Sequence, residues 1–189
     1  DLARAARRAW SLKRTLDTAV ETSHAFHLPA TLLARLGDYD PTMIEGELAE
    51  FQAQIDDIAF NLYGFSDTDR AAAIGSTGST SDDARAAEDD ADGSEIDEDI
   101  QAMDETDSLL SWAVGVAFGR FDLRLATGER AAPPEPGPFD PLPAKSPGML
   151  PDGVPPFHVH NGILVDDQGH PHDLPRHIEE VLGCADVEV

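Results

Sequence analysis

Ser108-Leu-Leu-Ser-Trp-Ala-Val-Gly-Val-Ala-Phe-Gly-Arg-Phe-Asp-Leu-Arg-Leu-Ala-Thr-Gly128 is the densest apolar run in the sequence, with an acidic tract before it and a proline-rich tract after it. Its reading decides the fold. At helical spacing Leu109, Trp112, Val116 and Phe118 can face one core. Gly115 and Gly119 fall on a single helical face, where the missing side chains let another element approach the backbone. A GxxxG pair signals a membrane dimer only inside an apolar run of about twenty residues. Here the run from Leu109 to Phe118 is shorter, and Arg120, Asp122 and Arg124 follow it at once. The stretch therefore reads as the most buried helix of a soluble protein, followed by an extended Phe-Asp-Leu-Arg-Leu segment.

Working outward toward the N-terminus, residues 2–27 read as a helix. Leu2, Ala6, Ala9, Leu12, Leu16, Ala19, Val20 and Ser23 recur every three or four positions, and Leu28-Pro29 ends the pattern. A short Ala-Thr-Leu-Leu-Ala-Arg-Leu segment closes at Gly37. Asp40-Pro41 is a helix start, an N-cap followed by proline at the first helical position. Ile44, Leu48, Phe51, Ile55, Ile58 and Leu62 then form a continuous apolar stripe, with Gly64 where a C-terminal glycine belongs. Ser66-Asp67 can cap a further helix through Ile74. Residues 75–94 are a low-complexity acidic insertion of Gly, Ser, Thr, Ala and Asp, expected to be disordered because it cannot bury enough apolar area to offset its ordering entropy.

Helix resumes near Glu95 and runs into the opening stretch, so that 95–128 form the central unit. Ten prolines between Ala131 and Pro156 exclude regular helix from the 129–160 connection and favour an extended strap. Phe139, Leu142, Met149 and Leu150 suggest that it packs back on its own core. Residues 161–189 read as strand, turn and short helix, with Asp173 as the cap of a helix from Leu174 to Leu182 and Gly183 past its end. The expected fold class is mainly α, an irregular helical domain with a proline-rich extended segment and a small β element near the C-terminus. Residues 2–74 form its first helical segment.

The chain has 189 residues and a net charge of −24, which argues against the whole surface being a non-specific nucleic-acid binder. The charge is uneven. Fifteen Asp and Glu lie between Ser66 and Asp107 against Arg70 and Arg85 alone, whereas the first fourteen residues carry Arg4, Arg7, Arg8, Lys13 and Arg14 against Asp1. The chain begins at Asp1, as a processed chain or an excised piece does. Its basic start lacks the apolar core of a secretory signal, and no transmembrane segment is expected. The single cysteine, Cys184, permits no internal disulfide framework and suits a reducing cytosol.

Chemistry-bearing patterns are sparse. His158-Val-His160 and His170-Pro-His172-Asp173, with His177 and Asp166/Asp167, offer ligands for zinc or another divalent ion and suggest a metal-dependent hydrolase. Prolines at 171 and 175, however, favour a capped turn, so no metal residue is assigned. There is no G-x-S-x-G elbow, no phosphate loop and no dinucleotide fingerprint, and Cys184 has no local activating motif. Two groups of cations could meet a phosphate backbone: Arg4, Arg7, Arg8, Lys13 and Arg14 on the first helix, and Arg120 and Arg124 where the chain leaves the central one. The competing reading is solvated charge paired with the surplus carboxylates. A stand-alone acidic interaction protein, docking through the proline-rich tract onto a basic partner, is the alternative in another class.

Four phrases, in order, resemble a known family. Glu21-Thr-Ser-His-Ala-Phe26 with Leu28-Pro29 and Leu32-Leu33 resembles the "ETSxxF…P-LL" segment of large bacterial N6-adenine DNA methyltransferases of the restriction-modification and phage-exclusion (BREX) type. Ile58 to Phe65 resembles their "LYG" helix end. Ser111 to Asp122 resembles "S-x-AVG-x-x-FGR-x-D", and Gly162 to His170 resembles "GILVDD-x-GH". The resemblance spans nearly the whole chain outside the acidic insertion. It implies a cytoplasmic parent enzyme that moves the methyl group of S-adenosylmethionine to an extruded adenine. Its partners would be double-stranded DNA and the remainder of the methyltransferase chain. The family's F-x-G-x-G-type cofactor loop and (N/D)-P-P-(Y/F) motif are absent; Asp140-Pro141-Leu142 and Val154-Pro155-Pro156-Phe157 are not that motif. No catalytic or cofactor-binding residue is therefore carried over. The implied position is C-terminal to the catalytic domain, as a helical spacer or part of the DNA-recognition region.

Overall fold

The computed structural model describes residues 2–37, 39–77, 93–159 and 163–186. Seven helices make up the regular structure among them: α1 (Leu2–Asp17), α2 (Ala30–Leu36), α3 (Pro41–Tyr63), α4 (Asp67–Thr77), α5 (Gly93–Ala117), α6 (Leu123–Ala126) and α7 (Leu174–Cys184). The fold is mainly α. Where a β element was expected near the C-terminus, the described residues hold one isolated parallel bridge, Val165 to Asp173; a second bridge pairs Phe121 with Met149. The acidic insertion falls outside the described residues except where its ends enter α4 and α5.

Helix boundaries follow local capping chemistry closely at three places. Asp40 caps α3 by accepting from the Met43 amide at 3.0 Å, with Pro41 at the first helical position. At the other end of α3, Gly64 is left-handed at φ 65°, and Phe65 N donates back to the Phe60 carbonyl. Ser66 and Asp69 cap each other ahead of α4: the Ser66 amide donates to the Asp69 carboxylate while the Asp69 amide donates to Ser66 Oγ.

The central helix ends differently from its sequence reading. α5 stops at Ala117, and Gly119 lies beyond it with φ 73°. Arg120 N donates to the Gly115 carbonyl at 2.7 Å and Gly119 N to Val116 at 2.9 Å, the paired bonds of a Schellman ending. Gly119 is thus a turn residue and shares no helical face with Gly115. Reversal at Gly119 throws Phe121 back against Gly115, where a Cβ would overlap the Phe121 ring. The close approach inferred from glycine spacing does occur at Gly115, but its partner comes from the same segment. Phe118, expected in the core, is 57% exposed because it sits at the turn, whereas Leu109, Trp112 and Val116 are buried.

Several other boundaries differ. α1 ends at Asp17, ten residues before the expected stop. Thr15 and Thr18 hydroxyls bond backward to the Ser11 and Thr15 carbonyls, and His27 N donates to the Thr18 carbonyl, closing residues 18–27 into a compact series of turns. Those turns deliver Phe26 into the core. Residues 121–125, expected to be extended, instead include the single helical turn α6, capped by Asp122. Gly183, expected past the last helix, lies inside α7.

One core joins α2, α5, α6 and α7. Phe26, Leu32, Trp112, Val116, Phe121 and Val181 are its buried centre, and Leu33, Met149 and Ile178 pack at its margin. Burial of each such apolar side chain contributes roughly 1.5–3 kcal/mol. α1 packs instead along α3, burying Ala5 and Leu12. The α3 stripe is only partly covered: none of its residues is fully buried, and Leu62 at its end is 71% exposed. The proline-rich tract divides in the same way. Met149 packs on the core, but Phe139 and Leu142, expected there too, are 97% and 68% exposed. Nearby, Gly148 accepts from Asp122 N and donates to the Phe26 carbonyl, so the strap fastens two parts of the core.

Candidate functional site

Two carboxylates organise most of the cations at the centre of the fold. Glu21 lies in the turns after α1. Its Oε2 accepts from Ser111 Oγ on α5 at 2.7 Å, and its Oε1 accepts from Arg120 at 2.9 Å. The Arg120 guanidinium also lies 4.7 Å from the Phe121 ring, which in turn meets Phe26 at 5.1 Å. Arg120 is therefore directed along the protein surface by a carboxylate and an aromatic face.

Asp122 is the second centre and is 2% exposed. Arg124 engages both of its oxygens, through Nε at 2.8 Å and a terminal nitrogen at 2.7 Å, and Arg130 adds a bond of 2.7 Å. The remaining Arg130 nitrogen reaches the Pro147 carbonyl, tying the proline-rich strap to the same point. Burial alone would raise the Asp122 carboxyl; the hydrogen bonds from Arg124, Arg130 and the Arg124 amide outweigh it and hold the group below its ordinary range. A buried carboxylate gripped at both oxygens by one arginine, with a single bond from a second, is a structural clasp. Arg130 was missed in the sequence; its only local signal was its position six residues beyond another arginine.

The basic residues of α1 take separate surroundings. Arg8 pairs with Glu47 on α3 at 2.6 Å and Lys13 with Asp17 at 3.5 Å. Arg14 stacks 5.9 Å from the Trp10 ring and lines a cleft of about 760 Å³ between the turns after α1, α2 and the proline-rich strap. Arg4 and Arg7 are exposed on the outer part of the helix. The seven cations named from the sequence are thus spread along α1 and its cleft, the Glu21 contact and the Asp122 clasp. They do not converge on one spot.

The cleft has apolar walls from Leu28, Leu33, Leu36 and the prolines, with Arg14, His27 and Arg130 among its lining residues. Burial, with the neighbouring Arg14 and Arg130 charges, lowers the His27 pKa. Its chemistry suits a ligand with an apolar body and a negative group.

The histidines also separate. His170 and His172 form a turn in which His172 N donates to His170 Nδ1 at 3.0 Å, as the capped-turn reading expected. His158 and His177 lie elsewhere, together. His160 is outside the described residues. No helix among the described residues is long and apolar enough to cross a membrane. Comparison with protein-family models, with curated proteins and with solved structures finds no match to this chain.

Proposed function

We propose that this chain is a non-catalytic helical portion, a spacer or part of the DNA-recognition region, of a cytoplasmic, site-specific adenine DNA methyltransferase. The parent enzyme would use S-adenosylmethionine and serve restriction-modification or phage defence. One observation carries the reading: residues from phrases that resemble that family lock onto one another. Glu21 of the first phrase bonds Ser111 and Arg120 of the third, and Phe26 of the first packs on Phe121 of the third. Leu164, from the fourth phrase, is buried, and the helix that follows it packs on α5. Phrases joined in this way behave as one folding unit, which is what a shared scaffold would preserve.

The geometry favours scaffold over direct DNA contact for Arg120 and Arg124, since Glu21 and Asp122 already engage them. Phosphate contact then falls to the exposed basic face of α1, where Arg7 lies. The proline-rich connection acts as an extended strap, and the last segment as the turn and helix that close the unit.

The test is to express the complete reading frame that encodes this chain and assay methyl transfer from S-adenosylmethionine to duplex DNA. N6-methyladenine is expected, together with an (N/D)-P-P-(Y/F) motif on the N-terminal side. A frame with neither overturns the proposal. In the active enzyme, replacing Arg7 by alanine should weaken duplex binding about equally across sequences. The salt slope should fall by about 1 for each arginine that no longer reaches a phosphate.

A second reading, an acidic interaction protein docking through the proline-rich tract, is favoured by the exposure of Phe139 and Leu142. Loss of partner capture on replacing both by serine, with methyl transfer absent, would select it.

A further inference from the structure

We propose that His158, His177 and Glu180 form a binding site for one divalent transition-metal ion of the zinc class. The three residues come from two parts of the chain. His177 and Glu180 are three positions apart on α7, which sets them on one helix face. His158 reaches them from the end of the proline-rich strap. Their candidate ligand atoms all lie within 4.8 Å of one another. Glu180 Oε2 is 3.8 Å from His158 Nδ1 and 4.0 Å from His177 Nδ1, and the two imidazole centroids are 4.1 Å apart. Ligand atoms on a tetrahedral zinc stand about 3.3 Å apart, given bonds of about 2.0–2.1 Å. Small side-chain rotations would therefore draw all three inward onto an ion.

The donor set selects the metal. Two imidazoles and one carboxylate match the three-ligand arrangement that leaves a fourth position for water. Calcium and magnesium favour all-oxygen surroundings, and copper(I) favours sulfur. The histidine side chains are only 11% and 10% exposed, while Glu180 is 41% exposed, so an ion would enter from the carboxylate side. Arg176 Nε donates to Glu180 Oε1 at 2.9 Å, which holds the carboxylate with Oε2 toward the imidazoles. Such outer contacts orient metal ligands. Phe157 packs edge-on against His158, with ring centroids 4.5 Å apart, and restrains the second element.

The inference does not depend on the methyltransferase reading. The sequence named His158 and His177 among several candidate ligands, but it did not include Glu180 or bring these three together. Bound metal would join the strap to α7 and stabilise the folded state by mass action.

The full chain, stripped of metal with a chelator and then freed of the chelator, is titrated with Zn²⁺ by calorimetry. Saturable one-to-one binding is expected, with a rise in Tm. Glu180→Gln and His158→Ala should each weaken binding at least about tenfold, while circular dichroism confirms retained helix. The His170→Ala/His172→Ala double variant should bind as the wild type does. Co²⁺ at the site should give the visible bands of a four-coordinate ion without a thiolate charge-transfer band, since Cys184 is not a ligand. Absence of saturable binding overturns the proposal. So does binding that survives both Glu180→Gln and His158→Ala, or binding that is lost in the His170/His172 variant.

Discussion

Glu21 and Arg120 are separated by 99 positions in the chain and meet at 2.9 Å, with the Arg120 guanidinium lying over the ring of the adjacent Phe121. Because Ser111 donates to the other oxygen of Glu21, one carboxylate fastens the turns after α1 to both the body and the end of α5. The pair is partly exposed, so its Coulomb share is modest. Glu21→Ala is expected to cost about 1–2 kcal/mol, chiefly from the missing hydrogen bonds. A double-mutant cycle with Arg120→Ala should give a coupling of about 0.5–1 kcal/mol in urea unfolding. A coupling of zero would mean that the pair does not join these segments in solution.

The Asp122 clasp should govern acid stability. Its folded-state carboxyl lies below the ordinary value of 3.8, so its stabilisation is fully present above that value and is lost as pH falls through the depressed folded value. Asp122→Asn removes the charge but leaves Arg124 and Arg130 facing a buried amide. A loss of about 2–3 kcal/mol at neutral pH is expected, below the value for a fully buried pair because both arginines are partly exposed. The difference between variant and wild type should shrink as pH falls below about 4. Denaturant midpoints measured between pH 7 and pH 2.5 check this.

Glycine substitutions should divide by sign. Gly115→Ala drives a methyl group into the Phe121 ring and is expected to cost about 2–3 kcal/mol. Gly46 lies inside α3 with nothing within 4 Å of an added Cβ, so Gly46→Ala should stabilise by about 0.5–1 kcal/mol through helix propensity. Thermal unfolding of the two variants side by side would reveal whether the α5 ending is as tightly closed as its geometry requires.

His27 supplies a second, separate pH dependence. Burial, then the Arg14 and Arg130 charges, hold its pKa below the ordinary 6.5. The fold therefore favours neutral imidazole: this contribution is complete above 6.5 and declines as pH falls below it, because the unfolded chain then binds more protons. An NMR titration should place the His27 midpoint below 6.5, and Arg14→Ala should move it upward. A midpoint at or above 6.5 would contradict the cleft's electrostatics.

Capping residues carried their structural meaning in the sequence because their partners are only a few positions away. Asp40, Pro41 and Gly64 bound α3 where their chemistry requires, and Ser66 opens α4. Mainly helical architecture and the central position of Trp112 and Val116 were legible from periodicity. The candidate sites were less so. Arg120 and Arg124 look alike as cations leaving a helix, yet one meets Glu21 from a distant turn and the other folds back on its own Asp122.

What the sequence by itself determined is local: the starts of α3 and α4, the glycine ending at Gly64, the apolar stripes and the exclusion of helix from the proline-rich tract. Tertiary structure alone decided that the turns after α1 deliver Phe26 into the core, that Arg120 meets Glu21, and that His158 joins His177 and Glu180. The reason is physical. A cap or a turn is satisfied by atoms within one helical turn, whereas a long-range pairing is chosen only when the whole chain closes and buried polar groups must find partners.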